Sequence, residues 1–231
     1  MIPVPAVRLV SRTEGGRTWP LLVWAPGPGW RAVSSGIVGG GLGSRGWWLD
    51  AQVDKEYFHP DPVAHAREIA AGLGLAPDAG VAMLTAADVS RWVSTDDEGV
   101  TVAATVGLGL PVLAAVPPEI AAREAGEPVG TINLLAVVPV PLSDAALVNA
   151  VVTATEAKAQ ALAEAGLRAT GTSSDAVCVA CPEPTSADPE PYGGPRSSWG
   201  GRIARAVHAA VAAGTADWFS GLSVPGDTLP G

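Results

Sequence analysis

Short apolar runs at 6–10, 20–24, 30–34 and 47–53, each bounded by glycine, proline or arginine, predict successive short strands in an N-terminal meander. Further runs at 80–85, 100–106, 131–138 and 175–181 predict more strands, with a shorter apolar piece at Trp92-Val93. A helical period takes over at 144–165, where Ser143 is placed as N-cap, Leu142 and Leu147 as a hydrophobic staple, and Gly166 as the glycine after the last turn. Asp61-Pro62 opens a shorter helix that ends at Gly72 or Gly74. A last helix starts at Ser197 or Ser198 and runs to about Ala213. Segment 117–129 reads as a Pro/Glu/Gly connection and 182–196 as a proline-rich loop.

Strands in succession followed by an irregular interleaving of strand and helix match neither a regular βαβ repeat nor an all-β sandwich. The expected fold is α+β: one catalytic domain over 1–219, with mixed β-sheet(s), a β-rich N-terminal part and about three main helices. Residues 220–231 are expected to form a flexible tail. The chain has 231 residues, 48% of them hydrophobic, enough for a packed core.

The net charge of −9 is spread without a basic block, which argues against nucleic acid or an anionic membrane as partner and for a small molecule. No apolar run reaches the roughly 18 residues of a membrane span, and the N-terminus lacks the features of a signal peptide. A cytoplasmic location follows as an expectation. Cys178 and Cys181 are spaced as C-x-x-C, but inside the apolar run Ala176-Val-Cys-Val-Ala-Cys, so they read as core thiols on a strand. His59, His65 and His208 supply no paired ligand spacing, so neither a metal site nor a resident cofactor is predicted.

Candidate chemistry concentrates between 149 and 208, where the polar stripe of the long helix, the turn at 170–175 and the start of the last helix are expected to converge on one cleft, with the glycine loop at its rim. Asn149, Thr153, Glu156 and Gln160 fall on one stripe of the long helix, with Lys158 on the opposite side from Glu156. The stripe reads either as a polar cleft wall or as a solvated helix face. Thr170-Gly-Thr-Ser-Ser-Asp175 sets hydroxyls, a flexible backbone and a carboxylate at the mouth of a strand, suited to holding an oxyanion and to acid–base work. The same residue types also form turns that satisfy only their own backbone. Arg196, Arg202, Arg205 and His208 gather in or near the last helix, where they can hold a carboxylate or carbonyl oxygen or form surface salt bridges. The run Gly36-Ile-Val-Gly-Gly-Gly41 lacks the Lys-Ser/Thr ending of a phosphate loop. It can still let a ligand approach the backbone, flanked by Trp24, Trp30, Trp47 and Trp48.

Ser34-Ser35-Gly36 with Gly39-Gly40-Gly41, Gly130-Thr-Ile-Asn133, Ala154-Thr-Glu-Ala-Lys158, Thr170-Gly-Thr172 with Asp175-Ala176, and Tyr192-Gly-Gly194 occur in an order that resembles the adenosylcobinamide amidohydrolase family. The resemblance covers about residues 30 to 213. It implies a cobalamin-salvage enzyme that hydrolyses the amide between the corrin propionyl side chain and aminopropanol, with the corrinoid as substrate rather than cofactor. The family's turn often reads Gly-Thr-Gly-Thr-Asp-Ala, against Gly171-Thr-Ser-Ser-Asp-Ala176 here, and Val38 stands where relatives often carry Asn. Residue chemistry then points to Asp175, Glu156 and Thr172 as catalytic, with water or the Thr172 hydroxyl attacking. Asn133, Asn149, Gly39, Gly40, Gly41, Ser174, Arg202 and His208 are the expected substrate-binding residues. A non-catalytic corrinoid binder and an amidase acting on a smaller amide are the alternatives.

Overall fold

In the computed structural model, which describes residues 4–124, 130–185 and 188–222, Gly15 and Gly16 at φ 57° and 74° reverse the chain between its first two strands. Those conformations suit glycine and close a tight hairpin between β1 (Arg8–Glu14) and β2 (Arg17–Trp24). The chain continues through β3 (Trp30–Ser34), β4 (Gly41–Ser44), β5 (Trp47–Gln52), α1 (Pro62–Gly72), β6 (Gly80–Thr85), a 3-10 turn (Val89–Arg91), β7 (Val93–Asp97) and β8 (Val100–Gly107). Then come β9 (Pro111–Val112), α2 (Pro118–Glu124), β10 (Thr131–Val137), α3 (Asp144–Glu164), β11 (Gly171–Thr172), β12 (Ala176–Pro182) and α4 (Ser198–Leu222).

The expected α+β class is what the chain adopts, arranged in four layers. One sheet has the order β1-β2-β5-β6 and the other β4-β3-β12-β10-β8-β7, while β9 and β11 form a short ladder. Strand pleating sends Ile132, Leu134 and Ala136 of β10 to one face, where they meet Leu147, Ala154 and Leu162 of α3 and Ile203 and Val207 of α4. Leu135 and Val137 point the other way, into a core between the sheets with Trp24, Trp48, Val81 and Met83. The outer face of the first sheet, through Leu21, Leu49 and Ala51, is covered by Ala66, Ile69 and Ala70 of α1.

Local signals held where the determinants are local. Ser143 caps α3 by accepting from the Ala146 N–H, Gly166 follows it at φ 82°, and Asp61 caps α1 through the Ala64 N–H. The N-terminal meander did not form: β3 and β4 leave β2 and β5 and join the second sheet, beside β12. In segment 117–129, expected as a connection, residues 118–124 form α2 and 125–129 lie outside the described residues. Helix α4 continues past Ala213 to Leu222 because tertiary packing overrides the glycine at 214. A Cβ on Gly214 would stand 2.5 Å from Val106 Cγ2, so that glycine brings the helix close to β8, and Thr215 beyond it is buried. Of the expected tail, 220–222 are therefore helical, and 223–231 lie outside the described residues. No described helix is long and apolar enough to cross a membrane.

Candidate active site

β10 and β12 run parallel with Asn133 opposite Ala176, so the residue before β12, Asp175, stands beside Ile132 at the mouth of both strands. Its carboxylate is fully engaged. Oδ1 accepts from the Ile132 N–H at 2.9 Å and lies 2.5 Å from the Thr172 hydroxyl. Oδ2 accepts from the Thr172 N–H at 3.1 Å and from the Lys158 ammonium, which reaches across from α3. The Lys158 and Asp175 side chains are only 7% and 9% exposed. A Cβ on Gly171 would fall 2.2 Å from Asp175 Oδ2, so the close approach of backbone to this pair requires glycine there.

Hydroxyls crowd the same mouth. Thr172 Oγ1 is 2.7 Å from the Gly130 carbonyl, which also accepts from Ser174 Oγ at 3.0 Å, and Ser174 Oγ is 2.7 Å from Thr131 Oγ1. Thr172 has one proton for two acceptors, so its hydroxyl can serve either Asp175 or Gly130. Just after neighbouring β3, Ser35 Oγ accepts from the Val177 N–H at 3.0 Å.

Behind the mouth, between the sheets, Asp50 of β5 is completely buried. It accepts from Thr105 Oγ1 of β8 at 2.7 Å and from Asn133 Nδ2 at 2.8 Å. Burial pushes its carboxyl up to about 6, against the opposing pull of those two hydrogen bonds. Asn133 Nδ2 also lies 3.3 Å from the Leu84 carbonyl, while its Oδ1 is buried with no hydrogen-bond partner among the described residues.

The sequence-predicted residues thus divide. Thr172, Ser174, Asp175 and Asn133 converge on one mouth. The stripe of α3 faces elsewhere: Thr153 donates to the Gly193 carbonyl at 2.9 Å, Asn149 lies beside Gly194, and Glu156 is exposed. Glu156 is two residues, and so about half a helical turn, from Lys158, which is the α3 side chain that does reach Asp175. Gln160 and His208 line a separate cavity of about 440 Å³ with Pro195, Arg196 and Arg205. His208 pairs with Glu164 at 2.7 Å, and Arg202 pairs with Glu98 at 3.0 Å while lying over the Trp199 ring. Both tie α4 to its neighbours, and the partners they take are Glu98 and Glu164 and not the Asp175 turn. The expected convergence of stripe, turn and last helix on one cleft is therefore corrected: there are two polar regions, on different sides of α3.

The glycine run also serves packing. Gly39, at φ 67°, lies so close to β6 that a Cβ would stand 2.0 Å from the Gly80 carbonyl oxygen. Its own carbonyl accepts from Arg45 Nε at 3.1 Å, Gly40 sits against the Gly36 carbonyl, and Gly41 begins β4 at φ 82°. The close approach is of backbone to backbone.

Lys158 and Asp50 were missed, and each leaves a trace in the sequence. Lys158 falls on the stripe Ala154, Ala157, Ala161 and Leu162, the buried face of α3, where a lysine needs a carboxylate. Asp50 interrupts Trp47-Trp48-Leu49 and Ala51, an otherwise apolar strand. Among the described residues no group of three or more His, Cys, Asp or Glu side chains is arranged to hold a metal ion.

Residues 6–221 match the family described as adenosylcobinamide amidohydrolase. A protein of that name from Methanosarcina mazei is 32% identical over 190 residues, covering 79% of this chain and 88% of its own. Another of that name, from Halobacterium salinarum, is 35% identical over 199 residues and covers 80% of each chain.

Proposed function

Because the chain belongs to the adenosylcobinamide amidohydrolase family, we propose that it hydrolyses the amide between the corrin propionyl side chain and aminopropanol of adenosylcobinamide. The products are adenosylcobyric acid and the amino alcohol, which places the reaction in cobalamin salvage. The corrinoid is the substrate, and the site is the mouth of β10 and β12.

The observation that carries this reading is the buried Lys158–Asp175 pair with the Thr172 hydroxyl 2.5 Å from the carboxylate. Amide hydrolysis needs a proton acceptor for the nucleophile, donors for the tetrahedral oxyanion and a proton for the departing amine. Lys158 and the Ile132 and Thr172 N–H groups hold the Asp175 carboxylate beside the Thr172 hydroxyl. Asp175 takes the proton released as the Thr172 hydroxyl, or a water bound to it, attacks the amide carbonyl. Ser174 donates to the Gly130 carbonyl, which leaves the Thr131 hydroxyl proton for the developing oxyanion. As the C–N bond breaks, the proton on Asp175 passes to the amine. If Thr172 has attacked, a water then hydrolyses the ester by the same route, and Asp175 returns the water's proton to the departing Thr172 oxygen.

Incubation of the purified protein with adenosylcobinamide, followed by mass spectrometry, tests this directly. Adenosylcobyric acid and aminopropanol are the expected products. A spectral change on titration without turnover would replace the reading with a corrinoid-binding role, and turnover of a small N-acyl aminopropanol alone would make the protein a simpler amidase.

A further inference from the structure

Asp50 lies outside the residues that form the mouth, yet it is the buried carboxylate that joins the two sheets directly behind it. It accepts from Thr105 of β8 and Asn133 of β10, and the Asn133 amide that reaches it also lies against the Leu84 carbonyl of β6. Leu22 of β2 and Met83 of β6 flank it in register, and every one of these groups is uncharged.

An ionised carboxylate only accepts hydrogen bonds, whereas a carboxamide has a donating edge and an accepting edge. With both oxygens of Asp50 accepting, the Asn133 side chain must turn its Nδ2 toward β5, which leaves Oδ1 facing away. That Oδ1 is buried and has no partner among the described residues. A buried acceptor without a donor is costly, so its persistence points to a group that joins it in the working state. The neighbour along β10 toward the mouth on the same face is Thr131, which is bonded to Ser174 of the catalytic turn.

We propose that Asp50 is a positioning residue of the hydrolytic site, which fixes the Asn133 carboxamide so that its Oδ1 is offered as acceptor to the N–H of the scissile amide and then to the departing amine. This rests on the hydrolase reading above. Protonation of Asp50 supplies a donor and removes the constraint, freeing the Asn133 carboxamide to turn over. Because burial raises that carboxyl to about 6, the constraint is released on acidification through that value.

The test has two arms. In the kinetic arm, the wild type is expected to show kcat falling below about pH 6 with a one-proton limb. Asp50→Asn, whose neutral amide enforces neither orientation, is expected to lower kcat by about tenfold to a hundredfold with less change in KM, and to lose the limb. Thr105→Val removes one donor to the ionised carboxylate and is expected to move the limb to higher pH; it carries the test alone if Asp50→Asn does not fold. In the second arm, the side-chain amide NMR signals of Asn133 are expected to titrate with a midpoint near pH 6 in the wild type and to be pH-independent in Asp50→Asn. An unmoved limb in Thr105→Val, a kcat within about twofold of wild type in Asp50→Asn, or Asn133 signals that do not titrate would overturn the assignment. Absence of turnover by the wild type would instead reject the hydrolase reading, with the NMR arm still reporting on the link between Asp50 and Asn133.

Discussion

Lys158 of α3 and Asp175 before β12 form an ion pair with almost no exposure to solvent, one member on a helix and the other at the end of an inner strand of the sheet that helix covers. Taking two charges out of water is expensive, and the pair is stable because every remaining lone pair of the carboxylate also has a donor: the Ile132 and Thr172 N–H groups and the Thr172 hydroxyl. Lys158→Met strands that carboxylate. The expected loss is about 3 to 5 kcal/mol in denaturant unfolding, part of which returns when Asp175→Asn is added. A loss under about 1 kcal/mol would mean that the pair is solvated and contributes as a surface pair does.

Asp175→Asn and Glu156→Gln separate the two polar regions. An amide at 175 has one accepting oxygen where the carboxylate has two, so both turnover and stability are expected to fall, the rate by about 100-fold to 10,000-fold and stability by about 1 to 3 kcal/mol. Glu156 is exposed and on another face of α3, so Glu156→Gln is expected to leave stability within about 0.5 kcal/mol and the rate nearly unchanged. Parallel steady-state kinetics and unfolding curves check both. A slow Glu156→Gln protein with wild-type stability would move the base to the outer stripe of α3.

What could be read in the sequence follows the range of the interactions involved. Ser143, Gly166 and Asp61 act on residues within one helical turn, so the ends of α3 and the start of α1 were legible. The separation of β3 from β2 and β5 depends on pairing with β12, more than a hundred residues away in the chain, and no local signal carries it. The turn at Thr172 and Asp175 was legible as a dense cluster of polar residues. Its counter-ion was not, because polar content marks the stripe of Glu156, whereas Lys158 stands out only as a charge on an apolar face. Asp50 and Thr105 come together from β5 and β8, strands of different sheets, and only the anomaly of an acid between Leu49 and Ala51 marks the place.

Cys178 and Cys181 are three residues apart on β12 and so point to opposite faces, Cys178 to the core between the sheets and Cys181 to the core under α3. That placement bars them from a disulfide or from sharing a metal. Burial pushes the thiols up to about 12 and about 11, so neither carries the thiolate needed for alkylation at neutral pH. Iodoacetamide is expected to spare both in the folded protein and to label both in denaturant. Cys178→Ala and Cys181→Ala are expected to keep full turnover and to cost about 1 to 2 kcal/mol each through the space left behind. Rapid labelling of either thiol under native conditions would contradict the packing.

Asp50 should also leave its mark on stability, with a definite sign. Its carboxyl is raised in the folded state from 3.8 to about 6, so folding favours the protonated form. The stability it contributes is fully present below the unfolded value of 3.8 and is lost as pH rises through about 6. A shift of this size corresponds to about 3 kcal/mol. The replacement amide in Asp50→Asn can accept from Asn133 and donate to Thr105 without ionising. It is therefore expected to match the wild type near about pH 4 and to exceed it in unfolding free energy near about pH 8. Asp54, Asp97 and Glu164, whose carboxyls are held below their usual range by hydrogen bonds and neighbouring cations, change stability in the opposite direction. They are common to both proteins and cancel in the difference. A wild-type deficit that grows toward acid pH would mean that Asp50 is stabilised as the anion, and the buried link to Asn133 would then be a source of stability and not a cost that the site carries for its geometry.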